Sequence, residues 1–265
     1  MAVIHKLLER LWEDYVGLNP QARDIYDRLT ASGEKVVNDH IALRSYGHRG
    51  VGIDVLAEPF IAGGYRLGGA YDFAAKKLRA RNYASSDPAM PKVFISELTL
   101  DVCSQELQET VKNLIDQIPS QWHKRNDKCV SGRPWELDFA TYRKLADESE
   151  YAGWVAAFGF RANHFTVLFN ALSKFDSLAA LNTFIENAGH PLNSSGGKIN
   201  GSPQVFLEQS STLAPNVSVT FDDGVHETPA CYYEFARRYR QPDGELFGGF
   251  VAGSADKIFQ STDRR

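Results

Sequence analysis

Two similar blocks, each opening on a histidine-bearing strand, are the feature that most limits how this chain can fold. Residues 36–46 and 161–170 both alternate with the period of two that is typical of a β-strand. In each block a predicted helix and then three shorter extended segments follow, which gives the order β-α-β-β-β twice. Two such units can each curl a sheet and face one another, so we predict one cavity that both units enclose.

The predicted fold class is α+β, with two βαβββ units forming a curved mixed sheet or half-barrel around a metal site. The units cover about 36–102 and 161–239, and amphipathic helices precede the first of them. The helical candidates at 104–158 have no counterpart in the repeat and are interpreted as an insertion. We therefore expect residues 1–265 to form a single catalytic domain.

The second unit follows the same order as the first. Its three later strands are predicted at 204–210, 217–221 and 230–239. A segment rich in glycine, serine and asparagine, 193–202, precedes them and is predicted to be a loop that closes over the site.

Composition excludes several classes of partner. The chain of 265 residues has a formal net charge of -4 and no long run of lysine or arginine, so neither nucleic acid nor an anionic membrane is expected to bind. A small molecule is the expected ligand, and the oligomeric state is left open. Cys103, Cys129 and Cys231 are odd in number and far apart, which indicates reduced thiols and a cytoplasmic location. No apolar window reaches the length of a membrane span.

The first strand carries a candidate site on one of its predicted faces. Strict alternation places His40 and Arg44 on one face with Asn38 and Ala42; the other face is mostly apolar and holds Val37, Asp39, Ile41 and Leu43. His40 and Arg44 are about 13 Å apart along a strand, and two long side chains leaning inward reduce this to the span of a small diacid.

A second histidine and a glutamate, both in the second unit, complete a predicted metal site. His164 lies in the opening strand of the second unit, and Glu234 lies among apolar and aromatic residues in the last strand. A buried carboxylate is costly without a cation. Two histidines and one carboxylate leave coordination positions open and suit non-haem Fe(II), although zinc accepts the same ligands.

Other roles for these residues remain open at this point. A histidine in a strand is more often an ordinary core or surface residue than a ligand. Simple ion pairs would account for the charged residues: Glu234 with Arg237 or Arg238, and Arg44 with Asp39 or Glu97. Glu97 sits in the first unit where Glu234 sits in the second, so it is also a candidate fourth ligand or a group that supports the ligands.

Five segments, taken together and in this order, resemble one known family: Asn38–Arg44, Phe94–Leu98, Ala162–Thr166, Tyr232–Arg238 and Ile258–Ser261. It is the 2-oxoadipate dioxygenase/decarboxylase family, also called 2-hydroxyglutarate synthase. The resemblance implies a fold akin to the vicinal oxygen chelate enzymes. It also implies that His40, His164 and Glu234 hold iron, that Arg44 binds substrate, and that Gly253 and Ser254 belong to the substrate pocket.

The activity implied by this resemblance is that of a non-haem Fe(II) enzyme. It would convert 2-oxoadipate, or a similar 2-oxo diacid, and O₂ into 2-hydroxyglutarate and CO₂, with Arg44 on the distal carboxylate. Two alternatives stay beside it. One is a zinc or other divalent-metal lyase, isomerase or hydrolase on the same scaffold, which is favoured if Glu97 is a ligand. The other is a binding protein that keeps the cavity without turnover.

Overall fold

The structure is a computed structural model that describes residues 2–251 and 261–262. Seven α-helices occur in this part of the chain: α1 Ala2–Leu18, α2 Pro20–Ala31, α3 Ile53–Ala62, α4 Gln105–Asp116, α5 Phe139–Glu148, α6 Glu150–Phe158 and α7 Leu178–Asn187. It also contains ten strands: β1 Asn38–Tyr46, β2 Arg66–Phe73, β3 Leu78–Ala84, β4 Lys92–Leu98, β5 Ala162–Leu168, β6 Asn200–Ser202, β7 Leu207–Ser211, β8 Asn216–Phe221, β9 Gly224–Pro229 and β10 Tyr232–Arg238.

Eight of these strands form one curved mixed sheet in the order β2-β3-β4-β1-β5-β10-β7-β6. β1 and β5 meet antiparallel at its centre, and each has a parallel neighbour on its other side, β4 beside β1 and β10 beside β5. The two halves of the sheet therefore repeat the same arrangement outward from the centre. The predicted α+β fold with a curved mixed sheet is confirmed.

The N-terminal helix covers one face of the central strands. Tyr15, near the end of this helix, is fully buried, and its ring lies 4.9 Å from that of Phe165 in β5 and 6.3 Å from that of Tyr233 in β10. The residues next to these two, His164 and Tyr232, point to the opposite face because strand side chains alternate. The helix therefore supports the face that lies behind the site.

The insertion contributes a buried helix, α6, that packs against β1. The single helix predicted at 141–158 is two helices, because Ser149 leaves the helical conformation and its hydroxyl accepts the Ala152 N–H at the start of α6. Tyr46 of β1 donates to the Ala152 carbonyl at 2.7 Å. Helix α6 is thereby fixed across the end of β1.

The second half of the sheet departs from the sequence prediction in two places. The strand predicted at 217–221 does not join the sheet; as β8 it pairs only with β9, in a separate hairpin. The edge position is taken by β6, inside the segment 193–202 that was predicted to be a loop. Alternation identifies a strand but not its partner, and a three-residue strand is too short for the pattern to appear.

Strand β1 is irregular where the site begins. Its pairing with β5 shifts between Asn38 and His40, and again between Ala42 and Leu43. A β-bulge of this kind re-aims side chains. Asp39 consequently turns to the side of His40, so its prediction as a member of the apolar face is wrong. Among the described residues, no helix has both the length and the apolar character needed to cross a bilayer.

Candidate metal centre

The structure brings His40, His164 and Glu234 together. Each offers one ligand atom, these atoms all lie within 4.8 Å of one another, and all three side chains are buried. Glu234 Oε1 is 3.8 Å from His40 Nε2, and Glu234 Oε2 is 3.3 Å from His164 Nε2. In the described part of the chain, no other group of histidine, cysteine, aspartate or glutamate side chains is arranged in this way.

Strand register explains how residues so distant in sequence meet. Thr166 of β5 is registered with His40 of β1 on one side and with Glu234 of β10 on the other. His164 precedes Thr166 by two residues and so shares its face. The three candidate ligands are thus contributed by three adjacent strands at the centre of the sheet.

His164 is suited to bind a cation as neutral imidazole. Burial, with added repulsion from His40 and Arg44, lowers the pKa of His164 well below its usual range. Its Nδ1 lies 3.1 Å from Asn163 Oδ1, a contact that favours a proton on Nδ1. The Nε2 lone pair then faces Glu234.

Glu234 is a buried carboxylate in need of a positive partner. Burial raises its pKa, although His40 and a hydrogen bond from Gln209 act in the opposite direction. Gln209 Nε2 donates to Glu234 Oε1 at 2.6 Å, while Gln209 Oε1 has no hydrogen-bond partner among the described residues. A divalent cation would neutralise the carboxylate, and a water bound to it would suit the unpaired amide oxygen. The donor set of two imidazoles and one carboxylate therefore fits a metal.

A buried ion pair stands behind His40. Asp39 Oδ2 lies 2.8 Å from His40 Nδ1, and Arg238 donates to both oxygens of Asp39, from Nε at 2.5 Å and from Nη2 at 2.8 Å. Burial would raise the pKa of Asp39, but Arg238 and His40 together hold it well below its usual range. An ionised Asp39 accepts a hydrogen bond from Nδ1–H of His40, which leaves the lone pair on Nε2 for a metal. In the structure this Nε2 lies 3.1 Å from Thr166 Oγ1. Arg238 therefore pairs with Asp39, not with Glu234.

Glu97 does not belong to this cluster, and its prediction as a fourth ligand or a supporting group is wrong. Its carboxylate accepts the Ile53 N–H at 2.9 Å and pairs with Arg79 at 3.0 Å, on the face covered by α3. The register shows why. Lys92 is opposite His40, as Tyr232 is opposite His164, so the residue equivalent to Glu234 in the first half is Phe94.

Arg44 is buried near the cluster, with 1% of its surface exposed. Its Nη1 donates to Glu150 Oε1 at 2.9 Å and its Nη2 to Thr262 Oγ1 at 3.1 Å. The guanidinium lies over the Tyr151 ring at 4.9 Å and the Trp154 ring at 5.2 Å. Neither pairing considered from the sequence, with Asp39 or with Glu97, is formed.

Aromatic rings enclose the cluster. Tyr232 stacks on His164 with ring centroids 4.5 Å apart, and Phe250 meets His40 edge-on at 4.9 Å. Phe250 also packs against Phe94 at 4.7 Å. The walls around the candidate ligands are thus largely apolar. The predicted pocket residues Gly253 and Ser254 lie outside the described residues, and their role stays a prediction.

Several residues of the site were not identified from the sequence. Asp39 was visible as an acid beside a histidine, and Arg238 as a cation on the face of Glu234, but only the bulge in β1 brings them together. Gln209 carried no signal beyond its place in a strand. Glu150 reaches Arg44 from the insertion, a contact that spans 106 positions and that no local pattern announces.

The sequence matches a known family over most of its length. A family model described as 2-oxoadipate dioxygenase/decarboxylase matches residues 4–245. The Arabidopsis thaliana protein named 2-oxoadipate dioxygenase/decarboxylase, chloroplastic, is 34% identical over 275 aligned positions, which cover 94% of this chain and 74% of that protein.

Solved structures agree with the sequence comparison. The hydroxyglutarate synthase of Oryza sativa, in complex with 2-oxoadipate, superposes with a TM-score of 0.92 and 32% identity, covering 99% of this chain and 93% of that one. A Shewanella frigidimarina protein to which a hydrolase function has been ascribed gives a TM-score of 0.90 and 47% identity, covering 94% and 98%. A glyoxalase superfamily protein of Ralstonia eutropha shares the fold, with a TM-score of 0.74, 23% identity and coverage of 93% and 85%.

Proposed function

The chain belongs to the 2-oxoadipate dioxygenase/decarboxylase family, and we propose that it is an Fe(II)-dependent enzyme that converts 2-oxoadipate and O₂ into 2-hydroxyglutarate and CO₂. The strongest support within the molecule is the buried cluster of His40, His164 and Glu234, whose ligand atoms lie within 4.8 Å of one another. Two histidines and one carboxylate on neighbouring strands leave several coordination positions for substrate and oxygen. Residues 1–265 act as one catalytic domain in this proposal.

The reaction balances without a second oxo acid. The bond between C1 and C2 of 2-oxoadipate breaks and C1 leaves as CO₂. One oxygen atom of O₂ enters the new carboxylate at C2, and the other becomes the hydroxyl at C3. Bound iron(II) would supply the chelation of the 2-oxo acid end and the activation of O₂.

Arg44 is the residue proposed to bind the distal carboxylate. Its guanidinium lies over the rings of Tyr151 and Trp154, and Glu150 accepts a hydrogen bond from it. Burial of the site strengthens a charge-assisted contact with a carboxylate, and the planar fork favours a two-point grip. Because Glu150 already balances the charge of Arg44, the incoming carboxylate must share or displace that partner. Gly253 and Ser254 are proposed to complete the substrate pocket.

The protein further orients the ligands and excludes water. Asp39 and Arg238 hold the tautomer of His40, while Gln209 steers one oxygen of Glu234. Tyr232, Phe94 and Phe250 line the approach with rings. Such an apolar wall suits the methylene chain of the oxo acid and limits bulk water near the reacting carbons.

The lyase, isomerase or hydrolase alternative would be favoured if Glu97 were a fourth ligand. Glu97 instead caps α3 on the other face of the sheet. Because the Shewanella protein is described as a hydrolase, a hydrolase activity is the alternative to test. Oxygen consumption distinguishes the dioxygenase from a hydrolase. A protein without turnover would have no evident use for a cation at one end of the pocket and three ligands at the other.

The deciding experiment measures O₂ uptake and CO₂ release by protein purified anaerobically and reloaded with Fe(II). Substrates are 2-oxoadipate, its homologues with one methylene fewer or more, and 2-oxohexanoate, which lacks the distal carboxylate. We expect uptake coupled to CO₂ and 2-hydroxyglutarate, with diacids preferred, and no uptake by the Zn(II)-loaded control. Absence of uptake with every oxo acid, in protein shown to contain iron, would refute the proposal.

A further inference from the structure

Arg238 engages two parts of the molecule at once. One edge of its guanidinium holds Asp39, and the remaining nitrogen, Nη1, donates to the carbonyl oxygens of Phe247 and Gly249, both at 2.8 Å. Only 3% of the residue is exposed. All three guanidinium nitrogens therefore have acceptors, one set behind His40 and the other in the segment that follows β10.

That segment returns to the site through Phe250. The Phe250 ring contacts His40 edge-on at 4.9 Å and also packs against Phe94 and Tyr71, while the guanidinium of Arg238 lies 5.5 Å from its centroid. The segment from Tyr239 to Phe250 contains no helix or longer strand. Its backbone hydrogen bonds run from Gln241 N–H to the Glu245 carbonyl, from Gly244 N–H to the Gln241 carbonyl and from Phe247 N–H to the Tyr239 carbonyl, beside the Arg240–Leu246 bridge. Arg238 adds the two hydrogen bonds to the Phe247 and Gly249 carbonyls, next to the ring that lies over His40.

We propose that Arg238 is a positioning residue that couples the orientation of His40 to closure of the segment 247–250 over the metal centre. One guanidinium holds Asp39 against His40 and holds two carbonyls of the segment. If His40 turns away from its ligating position, Asp39 loses one of its donors and the plane of the Asp39–Arg238 pair is free to tilt. The carbonyls on the other edge of the same rigid plane are then lost as well.

The shape of arginine is essential to this role. Its planar fork presents donors in fixed directions, so a displacement on one edge is transmitted to the other. A lysine would keep the charge but could not serve four acceptors on two edges. The backbone of Arg238 is itself clamped, because Asn170 accepts its N–H and donates to its carbonyl, both at 2.9 Å. Movement is therefore confined to the side chain and its partners.

Coupling of this kind is reciprocal. A metal ion that fixes His40 must stabilise the closed segment by the same factor that closure adds to metal affinity. This inference rests on the metal centre of the proposed function but not on turnover. It can be tested with a metal that binds without supporting oxygen chemistry.

The first test needs no variant. Hydrogen–deuterium exchange is measured on wild-type protein, without metal and with saturating Co(II) or Zn(II), in peptides covering residues 239–251. We expect the metal to slow exchange there about tenfold, within the usual range for coupled sites. Equal exchange in the presence and absence of bound metal would overturn the proposal.

Two variants then test the route. Arg238→Lys should bind Co(II) about 10- to 100-fold more weakly, as is usual when support for a ligand is lost, and metal should no longer protect residues 239–251. In Asp39→Asn, Arg238 can still donate to the Phe247 and Gly249 carbonyls, so exchange of residues 239–251 without metal should stay near wild type. Protection of these residues by metal should disappear. Persistence of that protection in either variant would exclude coupling through Arg238.

Arg237→Lys is the matched control. Arg237 is the neighbouring residue on the other face of β10, and its guanidinium lies over the rings of Phe169 and Tyr239. The Arg237→Lys variant should leave metal affinity, the Co(II) absorption spectrum and hydrogen–deuterium exchange of residues 239–251 unchanged. Because every readout is binding or exchange, failure of 2-oxoadipate turnover would leave this test intact. Normal turnover without metal-dependent protection would refute the coupling alone.

Discussion

Tyr232 stacks on His164, with the two rings inclined by 25°, and the positive charge of Arg44 acts on the same buried tyrosine. Burial raises the pKa of Tyr232 well above its usual value, and Glu234 adds to this effect while Arg44 opposes it. One aromatic side chain therefore contacts a candidate metal ligand and also interacts with the candidate carboxylate-binding residue. A diacid bound to both would lie close to the Tyr232 ring.

Loss of His164 should abolish metal binding and activity together. In His164→Ala, a two-ligand site remains, and we expect Fe(II) affinity to fall at least about 100-fold because one of three protein ligands is missing. Anaerobic Fe(II) titration and O₂ uptake measure the two effects. His123→Ala, at an exposed position, is the control and should match wild type. Full Fe(II) affinity in His164→Ala would remove His164 from the site.

Loss of Arg44 should separate metal binding from substrate binding. Arg44→Ala should retain Fe(II) but raise the KM for 2-oxoadipate by about 30-fold or more, since a buried charged contact of about 2–5 kcal/mol is lost. Use of 2-oxohexanoate, which has no distal carboxylate, should change far less. Glu150→Gln in the Arg44→Ala background removes the carboxylate left unpaired and should recover folding stability but not the KM. Unchanged KM for the diacid would contradict the role given to Arg44.

Gln209 should matter for the geometry of Glu234. Gln209→Leu removes the donor at 2.6 Å from Glu234 Oε1, so the carboxylate is less well oriented and metal affinity should fall about tenfold. The Co(II) absorption spectrum should shift as the ligand field changes. The control, Gln204→Leu, alters an exposed glutamine just before β7. An unaltered spectrum in Gln209→Leu would show that Glu234 is held by other contacts.

Glu34 should make stability depend on pH away from the site. Burial acts to raise its pKa, but hydrogen bonds from the N–H groups of Ser173 and Lys174 lower it overall, below the usual 4.5. A lowered pKa means that this stabilisation is complete above pH 4.5 and is lost as the pH falls through the lowered value. Glu34→Gln should cost about 1.5–3 kcal/mol at pH 7.

The difference in unfolding free energy between wild type and Glu34→Gln should therefore shrink as the pH falls below 4.5. Urea denaturation at a series of pH values measures it. Glu245→Gln, at an exposed position, is the matched control and should show no such trend. A difference that stays constant down to pH 3 would mean that Glu34 contributes through shape and not through charge.

The sequence allowed the fold class and the His40, His164 and Glu234 set to be predicted because the repeat exposed equivalent strands. It did not allow register to be predicted. Glu97 was matched with Glu234 by position in a strand, whereas pairing beside His40 makes Phe94 the equivalent residue. A one-residue shift reverses the face of every side chain in a strand, and no single-sequence pattern records it.

Contacts between residues far apart in the chain could not be predicted from the sequence either. Arg44 was identified as a candidate cation, but its partners Glu150 and Thr262 come from the insertion and from the C-terminal end. The bulge in β1 that turns Asp39 toward His40 depends on pairing with β5, which forms only in the folded sheet. Local alternation predicted a regular strand there because it carries no information about the neighbouring strand.

Phe94 occupies in the first half of the sheet the position that Glu234 occupies in the second half. This difference has a stereochemical consequence. The repeat supplies the imidazoles as a near-symmetric pair, but the carboxylate comes from one side only, and on the opposite side Phe94 meets Phe250. A substrate lying between the halves therefore has a charged flank and a hydrocarbon flank. Such a pocket would be handed: a diacid bound there would present only one of the two hydrogens on its C3 to the oxidising side, and we expect the alcohol formed to be a single enantiomer.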